Sequence, residues 1–175
     1  MIGCRHNFQP RRKPRQPLAM TCLPNVTIAL ETAAQPCVAG LIDELDAYQK
    51  PLYPPESHHG IDIESLCRPE VLFAVARGAQ GEAVGCGAIV LCAGAGELKR
   101  MYVRPGWRGQ GIAARLLAFL EAQALARGCG EFVLETGVRQ PEAIALYARL
   151  GYRECGPFGD YLPDPLSVFM RKAAG

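Results

Sequence analysis

Apolar residues recur along this chain at helical spacing in some segments and in strand-length runs in others. Leucine, isoleucine and alanine recur every three or four residues over 111–127, which predicts a long helix. The same spacing predicts helices over 38–48 and 141–150, and a short helix is predicted over 61–67. Apolar, β-branched runs predict the strands. These cover residues 26–30, 71–77, 83–92, 97–103, 131–136, 152–156 and 167–172.

The order of these elements predicts the fold class. The middle of the chain is a meander of strands, and the later half alternates strand and helix. This order predicts a mixed α/β (α+β) fold with a central twisted mixed sheet and helices on both faces. A chain of 175 residues, 49% of them hydrophobic, can bury a core of its own. We therefore expect a single domain over residues 21–175.

Charge is distributed unevenly, although the net charge is only +2. Residues 1–19 hold five basic residues, three prolines and no acid, so the remainder carries −3. We expect residues 1–20 to be a disordered basic arm; a nucleic-acid or membrane arm is the alternative. Met20 offers an alternative start. The acidic body gives no indication of nucleic-acid binding.

Cysteine usage and hydropathy indicate the compartment. The eight cysteines are scattered without a C-x-x-C pair, and the three histidines are not spaced for a zinc site with them. We expect reduced thiols, no metal and no cysteine nucleophile. No apolar run is long enough to cross a bilayer, so we expect a cytoplasmic protein without a membrane partner.

A glycine-bearing loop precedes the long helix and is the main indication of function. Backbone N–H groups at a helix start lack internal partners and face the positive end of the helix dipole, so they suit a phosphate. A P-loop would need Gly-Lys-Ser/Thr, and Ile112 follows Gly111. A dinucleotide fingerprint fits Gly109, Gly111 and Ala114, although fewer than 70 residues follow for a second half. The acetyl-CoA loop R/Q-x-x-G-x-G/A fits Arg108, Gly111 and Ala113.

Three segments together resemble the GNAT superfamily of acetyl-CoA-dependent N-acyltransferases. The strand 97–103 looks like its central strand, the run 103–113 is similar to its pyrophosphate loop, and A-I-x-L-Y-x-x-L-G-Y over 143–152 resembles its helix and Gly-aromatic step. The resemblance covers roughly residues 26–172. It departs at Gln140, where many members carry Asn, and at Ala113, where Gly is commoner. Further segments resemble a bacterial subgroup often labelled indole-acetic-acid or small-molecule acetyltransferases.

The resemblance implies acetyl-CoA as the acyl donor. It places the pyrophosphate on the backbone of residues 108–113 and the pantetheine beside the central strand, where a backbone N–H near Met101 would face the thioester oxygen. The cofactor-binding residues that it implies are Met101, Val103, Arg108, Gly109, Gln110, Gly111, Ile112, Ala113, Gln140 and Ala143. For Arg108 the alternative is a solvated loop charge.

Acyl transfer to an amine requires deprotonation, because an alkyl ammonium has a pKa near 10. Glu97, at the start of the central strand, is the first candidate base, with an exposed structural carboxylate as its alternative. Glu135, at the end of a strand, is the second, with a salt bridge to Arg139 as its alternative. Tyr147 matches the family tyrosine that protonates the departing thiolate, and its alternative is a core aromatic residue.

Acceptor recognition is expected in the loop over 53–60, which is rich in polar and aromatic groups. The candidate substrate residues are Tyr53, Glu56, Ser57 and His58, with Asp160 and Tyr161 from the other side; a proline-stiffened surface loop is the alternative.

We expect direct transfer of acetyl to a primary amine of a small molecule. Other hypotheses are acetylation of a protein or peptide amine, an acyl-CoA-binding regulator without turnover, and nicotinamide binding. Association of two chains is common in the superfamily, so the expected state is either a monomer or a homodimer.

Overall fold

A computed structural model describes residues 25–174, so the basic arm expected over residues 1–20 lies outside the described part. Helices and strands fall close to the positions that the apolar pattern predicts. In chain order they are β1 (Thr27–Leu30), α1 (Pro36–Gln49), α2 (Ile63–Leu66), β2 (Val71–Arg77), β3 (Ala83–Cys92), β4 (Ala95–Val103), α3 (Ile112–Leu125), β5 (Glu131–Gly137), α4 (Pro141–Arg149), β6 (Arg153–Cys155) and β7 (Ser167–Ala173).

The strands form one mixed sheet in the order β1-β2-β3-β4-β5-β7-β6. Every neighbouring pair is antiparallel except β4 and β5, which run parallel and are connected through α3. The predicted mixed sheet is therefore confirmed.

A dinucleotide fold needs two halves of parallel strands, so the nicotinamide interpretation is wrong.

Both faces of the sheet are buried, because side chains of a strand alternate between its two sides. Leu72 and Ala74 of β2 belong to a core shared with α3 and with Tyr147 of α4. Phe73 and Val75, the intervening residues, belong to a second core formed with α1 and α2. Helices therefore cover both faces, as predicted.

The parallel strands β4 and β5 separate part way along their length. Their ladder runs from Ala95–Glu131 to Leu98–Leu134 and ends there. Beyond it β4 remains paired with β3, and β5 remains paired with β7. The divergence opens a cleft in the middle of the sheet, at the carboxyl ends of two parallel strands, where ligand crevices form in α/β proteins.

A β-bulge in β4 lies at the point of divergence. Lys99 pairs with Ala88 and Tyr102 with Cys86, so Arg100 and Met101 together oppose the single residue between those partners. Arg100 has a φ of 53°, an uncommon conformation for a residue with a side chain. Its guanidinium is held by Asp46 of α1 and by the Ile61 carbonyl at 2.7 Å. These contacts connect the bulge to the elements that cover this face.

Candidate active site

The loop between β4 and α3 presents an exposed backbone to solvent. Gly109 and Gly111 have φ values of 75° and 76°, which glycine adopts without strain, and a Cβ at either position would meet nothing within 4 Å. Gly111 is the N-cap of α3, and no side chain caps the helix or places an acid in its first turn. The uncapped N–H groups and the helix dipole make this end of α3 suited to an anion.

A groove of about 680 Å³ runs from this loop along β4 to α4. We call it the α3 groove, and it contains every residue expected to bind the cofactor except Gln110. These are Met101, Val103, Arg108, Gly109, Gly111, Ile112, Ala113, Gln140 and Ala143. Gln110 instead directs its side-chain amide to the Gly106 carbonyl at 3.4 Å.

Arg108 lines the α3 groove and is exposed, so both the phosphate-proximal position and the solvated loop charge stay predictions. Its Nε donates to the Val103 carbonyl at 2.9 Å. Its guanidinium carbon lies 5.7 Å from the ring centroids of both Tyr48 and Tyr102, within the range of a cation–π contact. These contacts fix the loop against α1 and β4.

A second, more enclosed space of about 110 Å³ lies where β4 and β5 diverge. We call it the inner pocket. It joins the α3 groove at Leu45, Met101, Gln140, Ala143 and Tyr147, which line both spaces. Groove and pocket therefore lie next to each other, so a ligand held at the start of α3 would extend along the groove toward the divergent strands.

Tyr147 stands at the junction of groove and pocket. It also belongs to the core beneath α3, and its ring packs 5.8 Å from that of Tyr152, so the core-aromatic alternative describes part of its environment. Burial, with the charge of Glu135 as a smaller contribution, raises the pKa of Tyr147 above that of an ordinary tyrosine. Its hydroxyl therefore stays protonated at neutral pH and can donate.

Glu135 lines the inner pocket, on the part of β5 beyond the end of its ladder with β4. The Ser167 hydroxyl donates to its Oε1 at 2.7 Å. Burial raises the pKa of the Glu135 carboxyl by more than this hydrogen bond lowers it. The salt bridge with Arg139 does not form, because that guanidinium donates to the Leu52 carbonyl at 2.8 Å.

Glu97, the other candidate base, lies outside the inner pocket. Its carboxylate is 2.8 Å from Lys99 Nζ and accepts a hydrogen bond from the Tyr161 hydroxyl at 2.7 Å. Its side chain is only 18% exposed, which contradicts the alternative of an exposed carboxylate, and its role as a base stays a prediction. The segment after β6 covers it, an effect of tertiary structure with no signal in the local sequence.

The loop over 53–60 contributes several of the expected acceptor residues. Tyr53, Ser57 and His58 line the inner pocket. The hydroxyl of Tyr53 accepts the Arg139 backbone N–H at 2.9 Å, and its carbonyl lies 3.0 Å from His58 Nε2. A Cβ on Gly137 would lie 2.1 Å from the Tyr53 ring, so this contact requires glycine there. The side chain of Glu56 lies outside the described part of the structure.

Asp160 and Tyr161 line a third space of about 840 Å³, which we call the outer cavity. Glu97 lines it too, and it shares only His59 and Gly60 with the inner pocket. The structure therefore divides the residues expected around the acceptor between two spaces. It also brings in His59, Lys99 and Ser167, which the sequence analysis missed. Of these, His59 lies in the 53–60 loop expected to bind the acceptor, whereas the local sequence gives no signal for Lys99 or Ser167.

Within residues 25–174, no group of three or more His, Cys, Asp or Glu side chains could hold a metal ion. Each helix in the same range is too short or too polar to cross a membrane.

Comparison with known proteins gives concordant results. Residues 41–152 match the model of the Acetyltransferase (GNAT) family. The chain is 51% identical to an IAA acetyltransferase of Azospirillum brasilense over 86% of this chain and 99% of that protein. A crystal structure assigned as an acyl-CoA N-acyltransferase of Klebsiella pneumoniae has a TM-score of 0.74 and 44% identity, covering 86% of this chain and 98% of that one. An aminoglycoside 6′-N-acetyltransferase crystallised with coenzyme A shares the fold, with a TM-score of 0.63 and 20% identity over 85% of this chain and 97% of that one.

Proposed function

Since this chain belongs to the acetyltransferase (GNAT) family and is an acyltransferase, we propose that it transfers acetyl directly from acetyl-CoA to a primary amine of a small molecule. The observation that carries the proposal is the adjacency of the α3 groove and the inner pocket, both of which Tyr147 lines. A donor in the groove and an acceptor in the pocket would meet where β4 and β5 diverge.

The α3 groove fits the donor. The uncapped start of α3 and the open space at Gly109 and Gly111 allow backbone N–H groups to approach a diphosphate. Met101 is part of the bulge in β4 and Val103 lies just beyond it, and both line the groove, where their backbone would contact the pantetheine arm. When bound, acetyl-CoA supplies an acetyl group activated as a thioester, and a backbone N–H near Met101 would stabilise the developing oxyanion.

The position of Glu135 makes it our preferred base. Its carboxylate lines the same pocket as Tyr147, while Glu97 is neutralised by Lys99 in the wall of another space. A raised pKa brings a carboxylate closer to the operating pH and makes it a stronger base when ionised. In this proposal Glu135 accepts the amine proton, directly or through water. The amine nitrogen forms a bond to the acetyl carbon, and the C–S bond breaks.

Tyr147 is assigned to the departing sulfur. Its protonated hydroxyl belongs to a side chain that lines both the groove and the pocket, where it would donate to the sulfur. A proton or hydrogen bond from this hydroxyl would stabilise the thiolate as the bond breaks. The products are then an N-acetylated acceptor and coenzyme A.

A small acceptor is favoured by the limited size of the inner pocket, which the 53–60 loop partly encloses. The Azospirillum relative is named for a small molecule.

We also propose a cytoplasmic location, which agrees with the free cysteines in the described residues. A homodimer remains part of the proposal without structural support.

A thiol-release assay tests the proposed reaction. Wild type and the matched variants Glu135→Gln and Glu97→Gln are given acetyl-CoA and a panel of primary amines, including small peptides. We expect all three to bind coenzyme A and only Glu135→Gln to lose about 10²-fold or more in rate. Coenzyme A binding without thiol release for any amine would indicate a regulator. A preference for peptides would contradict the small-molecule proposal.

A further inference from the structure

A thin wall of side chains separates the inner pocket from the outer cavity. Lys99 faces the inner pocket, and Tyr161 and Glu97 face the outer cavity. Lys99 Nζ contacts the Tyr161 hydroxyl and lies 2.8 Å from the Glu97 carboxylate. It also donates to the His59 carbonyl at 3.0 Å. The ammonium thus has three acceptors, the number it can satisfy, so the wall is a closed polar network.

The Tyr161 ring is the bulk of this wall and is held on several sides. It makes edge contacts with His59, Phe158 and Phe169, at centroid distances of 5.0, 5.1 and 5.5 Å. Its backbone N–H donates to the Phe158 carbonyl at 3.1 Å. Its hydroxyl donates to Glu97 at 2.7 Å. A ring fixed by aromatic packing and by hydrogen bonds acts as a barrier, not as a side chain that swings aside.

The spaces on the two sides of the wall differ greatly in size, about 110 Å³ in the inner pocket and about 840 Å³ in the outer cavity. The inner pocket shares Tyr147 with the groove, and His59 and Gly60 with the outer cavity, so it lies between the other two spaces. A ligand group that extends from the groove past Tyr147 meets the wall at Lys99, with Tyr161 directly behind it.

We propose that Tyr161, fixed by Lys99 and Glu97, is a specificity-determining residue that limits the size of the amine acceptor. With the ring present, the acceptor is confined to the inner pocket, so short primary amines are preferred over amines with a bulky apolar tail. Without the ring, the tail enters the outer cavity, where Phe158 provides an apolar surface. This inference rests on the proposed function, because it requires the acceptor to occupy the inner pocket.

Binding of two synthetic conjugates tests the inference without knowledge of the natural acceptor. In each, the sulfur of coenzyme A is joined through –CH₂–CO–NH– to an alkyl group, either ethyl or 4-phenylbutyl. Calorimetry gives the affinity of both conjugates for wild type, Tyr161→Ala and Tyr161→Phe. We expect wild type and Tyr161→Phe to bind the ethyl conjugate at least about tenfold more tightly, and Tyr161→Ala to bind both within about twofold. Tyr161→Phe is the matched control, because it keeps the ring and removes only the hydroxyl.

The outcomes separate this inference from the proposed function. Equal binding of both conjugates to wild type, or an unchanged preference in Tyr161→Ala, would overturn the role of Tyr161 and leave the coenzyme A site intact. Failure of both conjugates and of coenzyme A to bind wild type would overturn both proposals. If circular dichroism shows that Tyr161→Ala does not fold, Tyr161→Leu replaces it, because leucine keeps apolar contact with Phe158 and Phe169 while opening the wall. The same change in preference is expected of Tyr161→Leu.

Discussion

Glu135 and Glu97 show how two carboxylates on neighbouring parallel strands acquire different properties. Glu97 is compensated by Lys99 and by the Tyr161 hydroxyl. Glu135 is partly buried with one neutral hydrogen-bond donor, Ser167, and burial raises its pKa. The sequence places both at the expected strand positions but does not distinguish them, because their hydroxyl partners, Ser167 and Tyr161, lie 32 and 64 positions away.

The raised pKa of Glu135 predicts opposite effects on activity and stability. The folded protein favours the protonated carboxyl, so its stabilising contribution is complete below the unfolded pKa and is lost as pH rises through the folded pKa. Glu135→Gln keeps an acceptor for Ser167 and removes the charge. We expect its Tm to exceed that of wild type at pH 7.5 and the difference to vanish near pH 4, while kcat falls about 10²-fold or more.

The check is thermal unfolding of both proteins across this pH range, together with the pH profile of kcat/KM. The acidic limb of the wild-type profile should lie above the pKa of an ordinary glutamate. A Tm difference independent of pH, or a wild-type kcat for Glu135→Gln, would contradict the account of this residue.

The position of Tyr147 predicts that loss of its hydroxyl lowers kcat without weakening coenzyme A binding. Tyr147→Phe keeps the ring in the core and removes the hydroxyl, so we expect kcat to fall about tenfold or more with little change in the Kd for coenzyme A. Tyr152→Phe is the control. Its hydroxyl donates to Glu121 at 2.9 Å, on the core side of the neighbouring ring, so its loss should lower Tm and not kcat. Weakened affinity with unchanged kcat in Tyr147→Phe would leave Tyr147 as a packing residue.

At the scale of elements, the apolar pattern predicts most of the fold. The predicted bounds of β2 and β3 coincide with the observed ones. β4 begins at Ala95, two residues before the predicted start, because Ala93 and Gly94, both with positive φ, form a tight turn after Cys92. An Ala-Gly-Ala-Gly segment has low strand propensity, so periodicity alone does not reveal this start.

The bulge in β4 and the arrangement of the three spaces are not predicted by local sequence. The bulge places Arg100 in a strained conformation that depends on Asp46 and on the Ile61 carbonyl, both far away in the chain. The wall between pocket and cavity joins β4 to the segment after β6. Such contacts follow from tertiary packing. The spacing of apolar residues, which has a period of about 2 residues in strands and about 3.6 in helices, does not encode them.

The exposed backbone at the start of α3 predicts that substitution of a single glycine weakens coenzyme A binding. In Gly111→Val the side chain would cover the exposed N–H groups, so we expect coenzyme A affinity to fall more than about tenfold. Gly128→Val is the matched control at the other end of the helix. Its φ of 85° imposes a similar strain and its Cβ also meets nothing within 4 Å, so Tm should fall similarly while affinity is retained. Equal affinity in both variants would contradict the loop assignment.

At the scale of the whole molecule, the two cores and the sheet between them are formed within residues 25–174. The single domain expected over residues 21–175 and the disordered arm expected over residues 1–20 remain proposals. Removal of residues 1–19 tests both. We expect the Tm and the Kd for coenzyme A of the shortened protein to equal those of the full chain. A large decrease of either would show that the arm contributes to the folded protein.

The central claim is that the start of α3 binds the diphosphate of coenzyme A, and a calorimetric titration of the full chain tests it most directly. Coenzyme A should bind at one site per chain with measurable heat, and NAD(H) should give none under the same conditions. The absence of heat with coenzyme A at millimolar concentration, or stronger binding of NAD(H), would contradict the account.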